Sequence, residues 1–180
     1  MTTIYLIRHC KAAGQEPAAP LTEEGIRQSL RLAEALENRG IEKILSSPYV
    51  RAVRSVEPLA KRLGIGVGVD ERLRERALSG SDLPDWMERL RHSFEDLELA
   101  LEGGESSRAA TERALAVVSE IASGEERTVA AATHGNLMAL LLKAFDDSVG
   151  FEAWKALSNP DVYKLVFRAG AFERMERVWS

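Results

Sequence analysis

The chain holds a single cysteine, Cys10, among 180 residues, so no internal disulfide can form. Long apolar runs are missing too. The longest mostly apolar stretch, Leu137 to Leu142, falls far short of the roughly 20 residues that cross a bilayer. The first residues, Met-Thr-Thr-Ile-Tyr-Leu-Ile-Arg, reach a charge early and lack the apolar segment of a secretory signal. Cations are not in excess: 24 Lys+Arg face 28 Asp+Glu, for a formal net charge of −4 and a pI of about 5.5. Without surplus positive charge to displace counterions, nucleic acid is not an expected partner, and neither is a membrane. No repeat, low-complexity tract or linker divides the chain, and nothing in it signals an oligomeric state. What remains is globular: 45% hydrophobic and 29% charged residues, in a length that suits one domain over 1–180. A soluble, cytoplasmic protein is expected.

Hydrophobic spacing alternates between strand and helix. Residues 3–7 form a β-branched and aromatic run that reads as a buried strand. Thr22 then caps a predicted helix with Ile26, Leu30, Ala33 and Leu36 on one face, stopped near Asn38 to Gly40. A strand over 41–45 follows. Next comes a helix that starts at Pro48, carries Val53, Val56, Ala60 and Leu63, and ends at Gly64. Residues 65–69 make a weaker strand. Pro84 opens a helix whose stripe runs through Trp86, Leu90, Phe94, Leu97 and Leu101 to Gly103-Gly104, as core or as a lid. Ser106 or Ser107 caps another helix, to about Ser123. A small-residue strand over 129–132 leads through Thr133-His134-Gly135 into an apolar helix, and residues 162–178 close the chain as a strand pair. This alternation predicts an α/β three-layer sandwich: a mainly parallel central sheet, helices on both faces, and a small helical cap over about 76–104.

Open α/β sheets bind ligands at the carboxyl ends of their strands. There this chain places Arg8-His9, Ser46-Ser47-Pro48 with Arg51 in the next helix, Asp70 through Glu75, and His134-Gly135-Asn136 at a helix start. Two of only three histidines thus lie at strand ends, beside arginines and carboxylates. Such a set suits phosphate chemistry. Arginine forks bind phosphate oxygens, helix N-termini favour anions, imidazole attacks or shuttles a proton, and a carboxyl group protonates a leaving oxygen. The third histidine, His92, reads as a surface residue, and Arg54 as a solvated or salt-bridged neighbour of Arg51.

Taken in order, Leu6-Ile7-Arg8-His9, Ser46-Ser47-Pro48 with Arg51, Leu73-Arg74-Glu75, Gly103-Gly104-Glu105-Ser106 and Thr133-His134-Gly135 resemble the histidine phosphatase superfamily, of which phosphoglycerate mutase is the best-known branch. The resemblance implies that His9 is a nucleophile forming a phosphohistidine. It implies that Arg8, Arg51, His134 and Gly135 surround the phosphoryl group, with His134 also catalytic, and that Glu75 serves as general acid and then base. No metal or other cofactor is implied, because arginines supply the positive charge. Small phosphorylated substrates are the expected partners, with Lys11 and Gln15 as further substrate contacts.

The chain departs from the family pattern at Cys10, where glycine is usual, and at Lys11, where an acid is common. It also lacks the aromatic-Glu-Gly segment that often follows the acid. The expected activity is hydrolysis of small phosphomonoesters. Alternatives are mutase-type phosphoryl transfer and a phosphate- or phosphoprotein-binding member without turnover. A cysteine-dependent phosphatase loop around Cys10 is disfavoured, since the position where it needs an arginine holds Glu16.

Overall fold

The computed structural model describes all 180 residues. Along the chain run β1 (Thr2–Arg8), α1 (Glu23–Leu36), β2 (Lys43–Ser46), α2 (Val50–Leu63), β3 (Val67–Val69), a 3-10 turn at Glu71–Leu73, α3 (Trp86–Glu95), α4 (Ser107–Ala122), β4 (Thr128–Thr133), α5 (Gly135–Phe145), α6 (Phe151–Ala156), β5 (Asp161–Arg168) and β6 (Ala171–Arg177). One six-stranded sheet has the order β3-β2-β4-β1-β5-β6. β1 to β4 are mutually parallel where they pair, and β5 and β6 run antiparallel at one side. The expected mainly parallel α/β sandwich is the fold.

Side-chain alternation along the central strands builds two cores. Ile4 and Leu6 of β1 with Val129 and Ala131 of β4 face α4 and α5, joined by Leu90 and Phe94 of α3 and Phe151 of α6. Tyr5 and Ile7 with Ala130 and Ala132 face α1 and α2. Both faces of the central strands are therefore buried, which is why their sequences read as near-continuous apolar runs. No helix is long and apolar enough to cross a membrane.

Capping follows the sequence signals. The Thr22 and Ser106 hydroxyls accept from Gly25 and Ala109 N–H groups, and Gly64 ends α2 in the left-handed conformation.

Several boundaries and faces differ from expectation. α1 buries Gly25, Gln28, Ser29, Leu32, Ala33 and Leu36, leaving Ile26 and Leu30 exposed. The cause is a close approach: a Cβ on Gly25 would lie 2.1 Å from the Lys11 carbonyl oxygen, so this helix face must meet the loop after β1. β2 begins at Lys43 rather than residue 41, and α2 begins at Val50, after Pro48. α3 stops at Glu95, so Leu97 and Leu101 lie beyond it, and Trp86 is 45% exposed rather than core. The short α6 has no side-chain cap, and no sequence signal marks it.

Candidate active site

Parallel pairing of β1 with β4 sets Arg8 opposite Thr133, so the residues that follow, His9 and His134, emerge side by side. The His9 N–H continues the ladder onto the Thr133 carbonyl at 3.1 Å, and the two imidazole rings meet edge to face at 5.1 Å. β2 delivers Ser47 and Arg51 to the same edge of the sheet, and the segment after β3 delivers Glu75. Four strand ends converge on one place.

His9 is buried and its two ring nitrogens differ. Nδ1 lies 2.7 Å from the Cys10 carbonyl, which can only accept, so Nδ1 carries the proton. Nε2 then holds a lone pair, 3.3 Å from the Arg51 Nε–H. Burial, then the Arg51 and Arg8 cations, lowers the His9 pKa to about 4. The ring is neutral at physiological pH.

His134 is wholly buried, and burial followed by His9 and the arginines lowers its pKa well below the usual value. Its Nε2 is 2.7 Å from the Ser47 hydroxyl, which also accepts the Tyr49 N–H; in the tautomer where Nε2 is the acceptor, Ser47 donates to it. That assignment leaves the proton of His134 on Nδ1, a buried atom with no protein partner. Tyr49 adds an edge contact to His134 at 4.9 Å and lies beneath the Arg51 guanidinium.

Arg51 is 1% exposed and donates a second bond, from Nη1 to the Glu16 carbonyl at 2.9 Å. Arg8 donates from Nη1 to the carbonyls of Leu157 and Ser158, while its buried Nε has no protein partner. Burial works against both charges, and Glu75 is the strongest group supporting them. Gly135 makes the room: a Cβ there would stand 2.8 Å from Arg8 Nε and 2.9 Å from its Cζ. Its part is to admit the guanidinium.

Glu75 lies across the N-terminus of α5. One carboxylate oxygen, Oε1, accepts the Arg76 and Leu137 N–H groups at 2.8 and 2.9 Å, and Oε2 accepts the Asn136 N–H at 3.1 Å. Burial raises its pKa against the pull of these three donors and of Arg8. Glu71, the competing candidate by sequence, is exposed and has no such setting.

The structure brings together Arg8, His9, Arg51, Glu75, His134 and Gly135. It does not bring in Lys11, whose ammonium pairs with Glu24 on the surface at 3.0 Å. Gln15 is exposed on the loop whose next residue, Glu16, receives Arg51. His92 is exposed beside Glu88, and Arg54 pairs with Glu57 in solvent, as expected of both. Cys10 turns its side chain into the core under α1 and α2, and burial pushes the thiol up to about 11. An inert thiol results.

Asn159 and Asp161 were missed. The Asn159 amide donates to the His9 carbonyl at 3.0 Å. Buried Asp161 holds the adjoining turn through the Ser158 N–H and the Arg177 guanidinium. Asn159-Pro160 reads only as a turn, because nothing local says that β5 returns antiparallel beside β1.

The only buried side-chain polar atoms without a protein partner are Arg8 Nε, His134 Nδ1 and Asn136 Oδ1, all at this one edge. Polar atoms are buried unsatisfied at a cost, and their collection at one edge gives that edge free hydrogen-bonding capacity for a ligand. Arg8 Nε is a donor, and His134 Nδ1 is one in the tautomer above, a pair that suits an oxyanion.

Sheet order and site together define a phosphoglycerate mutase-like α/β fold. The family model described as histidine phosphatase superfamily (branch 1) matches residues 4–178. The chain belongs to that superfamily. Among solved structures it is similar to a mycobacterial glucosyl-3-phosphoglycerate phosphatase, with 27% identity, a TM-score of 0.78 and 99% of this chain on 97% of that one. It is also similar to YhfR of Bacillus stearothermophilus, with 28% identity, a TM-score of 0.79 and coverage of 96% and 95%. A probable phosphoglycerate mutase of Yersinia pestis is 34% identical over 82 residues, but this match spans only 42% of the chain and 38% of that protein.

Proposed function

We propose that this protein is a metal-independent phosphatase that hydrolyses small phosphomonoesters through a phosphohistidine on His9. The observation that carries the reading is the His9 ring itself: neutral, with Nδ1–H tied to Cys10 and its Nε2 lone pair beside a cation. An incoming phosphoryl group takes over the donors of Arg8, Arg51 and His134, and Nε2 attacks phosphorus as the ester P–O bond breaks. Glu75 gives its proton to the leaving oxygen. Oε2, with one N–H partner against two on Oε1, is the oxygen free to do so. The Glu75 carboxylate then takes a proton from water as that water attacks phosphorus, the P–N bond breaks, and inorganic phosphate leaves.

Hydrolysis rather than mutase transfer is supported by the cap. A mutase must keep water from its intermediate, and residues 76–104 supply one ten-residue helix for that purpose. The mycobacterial relative that has been crystallised with VO3 and with inorganic phosphate is itself a phosphatase.

The test is p-nitrophenyl phosphate hydrolysis in EDTA by wild type and His9→Ala. Turnover that survives chelation and is abolished by His9→Ala is expected. Activity that chelation removes, or that His9→Ala retains, overturns the mechanism. Interconversion of phosphoglycerates without hydrolysis establishes the mutase instead, and phosphate binding without any turnover establishes a binder.

A further inference from the structure

Glu75 sits on a stretch of chain with no secondary structure of its own. Residues 75–79 belong to no helix or strand, yet every peptide group there needs a partner or water. One side chain holds the carbonyls that lead into this stretch and that of Glu75 itself. Arg113, in the second turn of α4, sends Nη1 to the carbonyls of Arg72 at 2.6 Å and Arg74 at 2.9 Å, and Nη2 to that of Glu75 at 3.3 Å. Its Nε and Nη2 also meet the two oxygens of Glu105 at 3.0 and 2.9 Å. A guanidinium offers five N–H groups, and all five have an acceptor here.

Glu105 completes the clasp on the far side of Glu75. Its Oε2 accepts the Ala77 N–H at 3.2 Å, and its own N–H donates to the Ala77 carbonyl at 2.8 Å. Gly104 permits this closeness, since a Cβ there would fall 2.2 Å from the Leu78 carbonyl oxygen. The arginine and the glutamate are 12% and 19% exposed as side chains, so neither is a core-packing residue. Glu75 is thus held from two directions: its carboxylate by the N–H groups of Asn136 and Leu137 at the start of α5 and of Arg76, its carbonyl by Arg113, with Glu105 holding Ala77 two residues on.

We propose that Arg113, oriented by Glu105, is the positioning residue for the Glu75 carboxyl group. It controls proton delivery to the leaving oxygen without touching substrate. The inference rests on the reading of Glu75 as general acid. The planar fork matters rather than the charge, because a lysine has three N–H groups on one atom and cannot span three carbonyls and a carboxylate.

The experiment compares kcat/KM, which reports formation of the phosphoenzyme, for p-nitrophenyl phosphate and for an alkyl phosphate. A nitrophenolate leaves without help, whereas an alkoxide needs the proton. Positioned proton transfer contributes about 10²–10⁴-fold, so Arg113→Ala and Arg113→Lys are each expected to lose about tenfold or more on the alkyl ester and under about threefold on the aryl ester. Added guanidinium is expected to restore alkyl turnover to Arg113→Ala. Arg113→Lys keeps the stem and the charge, and so serves if the alanine variant does not fold. Glu75→Gln, run alongside, is expected to show the same discrimination between esters.

If Glu75→Gln discriminates but neither Arg113 variant does, or if Arg113→Lys is indistinguishable from wild type, this inference is overturned and the role of Glu75 stands. If Glu75→Gln lowers both esters equally, the general-acid reading fails and this inference fails with it.

Discussion

Gly135→Ala isolates the Arg8 guanidinium without deleting any polar group. Gly135 is the first residue of α5, and its backbone does not require glycine, so alanine is conformationally acceptable. In mid-helix alanine is favoured over glycine by about 1 kcal/mol, and at a first position by less. The new Cβ, however, would stand 2.8 Å from Arg8 Nε, 2.9 Å from Cζ and 3.0 Å from Nη2. Ordinary contact requires a retreat of about half an ångström, and Arg8 is held on its other side by the Leu157 and Ser158 carbonyls. A misplacement of about 1 Å can cost about 10²-fold in rate, so kcat/KM is expected to fall by about tenfold to 10²-fold. The melting temperature is expected to move by no more than about 4 °C, because the helix gain and the local crowding oppose each other. Gly150→Ala is the control, since its Cβ would meet nothing within 4 Å. Steady-state kinetics on purified variants with matched circular dichroism decides the matter. Wild-type kcat/KM in folded Gly135→Ala would refute the claim that Arg8 is placed by this glycine for the phosphoryl group.

Three further outcomes follow from the same site. Folded-state stability is expected to be complete above pH 6.5 and to decline as pH falls toward 4. The reason is that the unfolded chain protonates His9 near 6.5 while the folded chain resists until about 4, a difference worth about 3 kcal/mol; urea midpoints unchanged between pH 7 and 4.5 would contradict it. Cys10→Ser is expected to keep hydrolysis within a few-fold while losing about 1–3 kcal/mol from a hydroxyl placed in the core, and a folded but inactive variant would restore a role to the thiol. Arg51→Ala is expected to lower kcat/KM at least tenfold, whereas Arg54→Ala, which removes only a solvent-exposed pair with Glu57, is expected to leave turnover and stability unchanged; equal effects would dissolve the distinction between them.

The legible parts of the molecule are those where one residue's chemistry decides its own surroundings. Thr22, Gly64 and Ser106 mark helix ends because each satisfies or frees a backbone group within four residues of itself. Strand ends carrying Arg8-His9 and His134 are legible for a related reason, since a parallel sheet brings consecutive carboxyl ends to one edge whatever the order of its strands. The α1 face differs from its expectation for the opposite reason. Ile26 and Leu30 satisfy the helical period as well as Leu32 and Ala33 do, and the choice between faces is made by Gly25 meeting the Lys11 carbonyl across a loop. Lys11, expected as a substrate contact, pairs instead with Glu24, a partner that comes near only when α1 folds back on that loop.

The same distinction explains why the site's chemical groups were more legible than the parts that support them. His9, Glu75, Arg8 and Arg51 stand out by residue type at strand ends, and the family resemblance supplies their expected roles, whereas Ser47, Asn159 and Arg113 hold another residue's ring or backbone. Gly104-Glu105 shows the limit best. As a sequence it reads as a helix stop and a family mark, while in the structure its missing side chain admits Leu78 and its carboxylate grips Ala77 and Arg113. A general acid on an irregular segment is only as well placed as the groups that hold that segment. Under the proposed function, the motif around Glu105 serves proton transfer through its hold on the segment that carries Glu75, and it contributes no atom to the reacting centre.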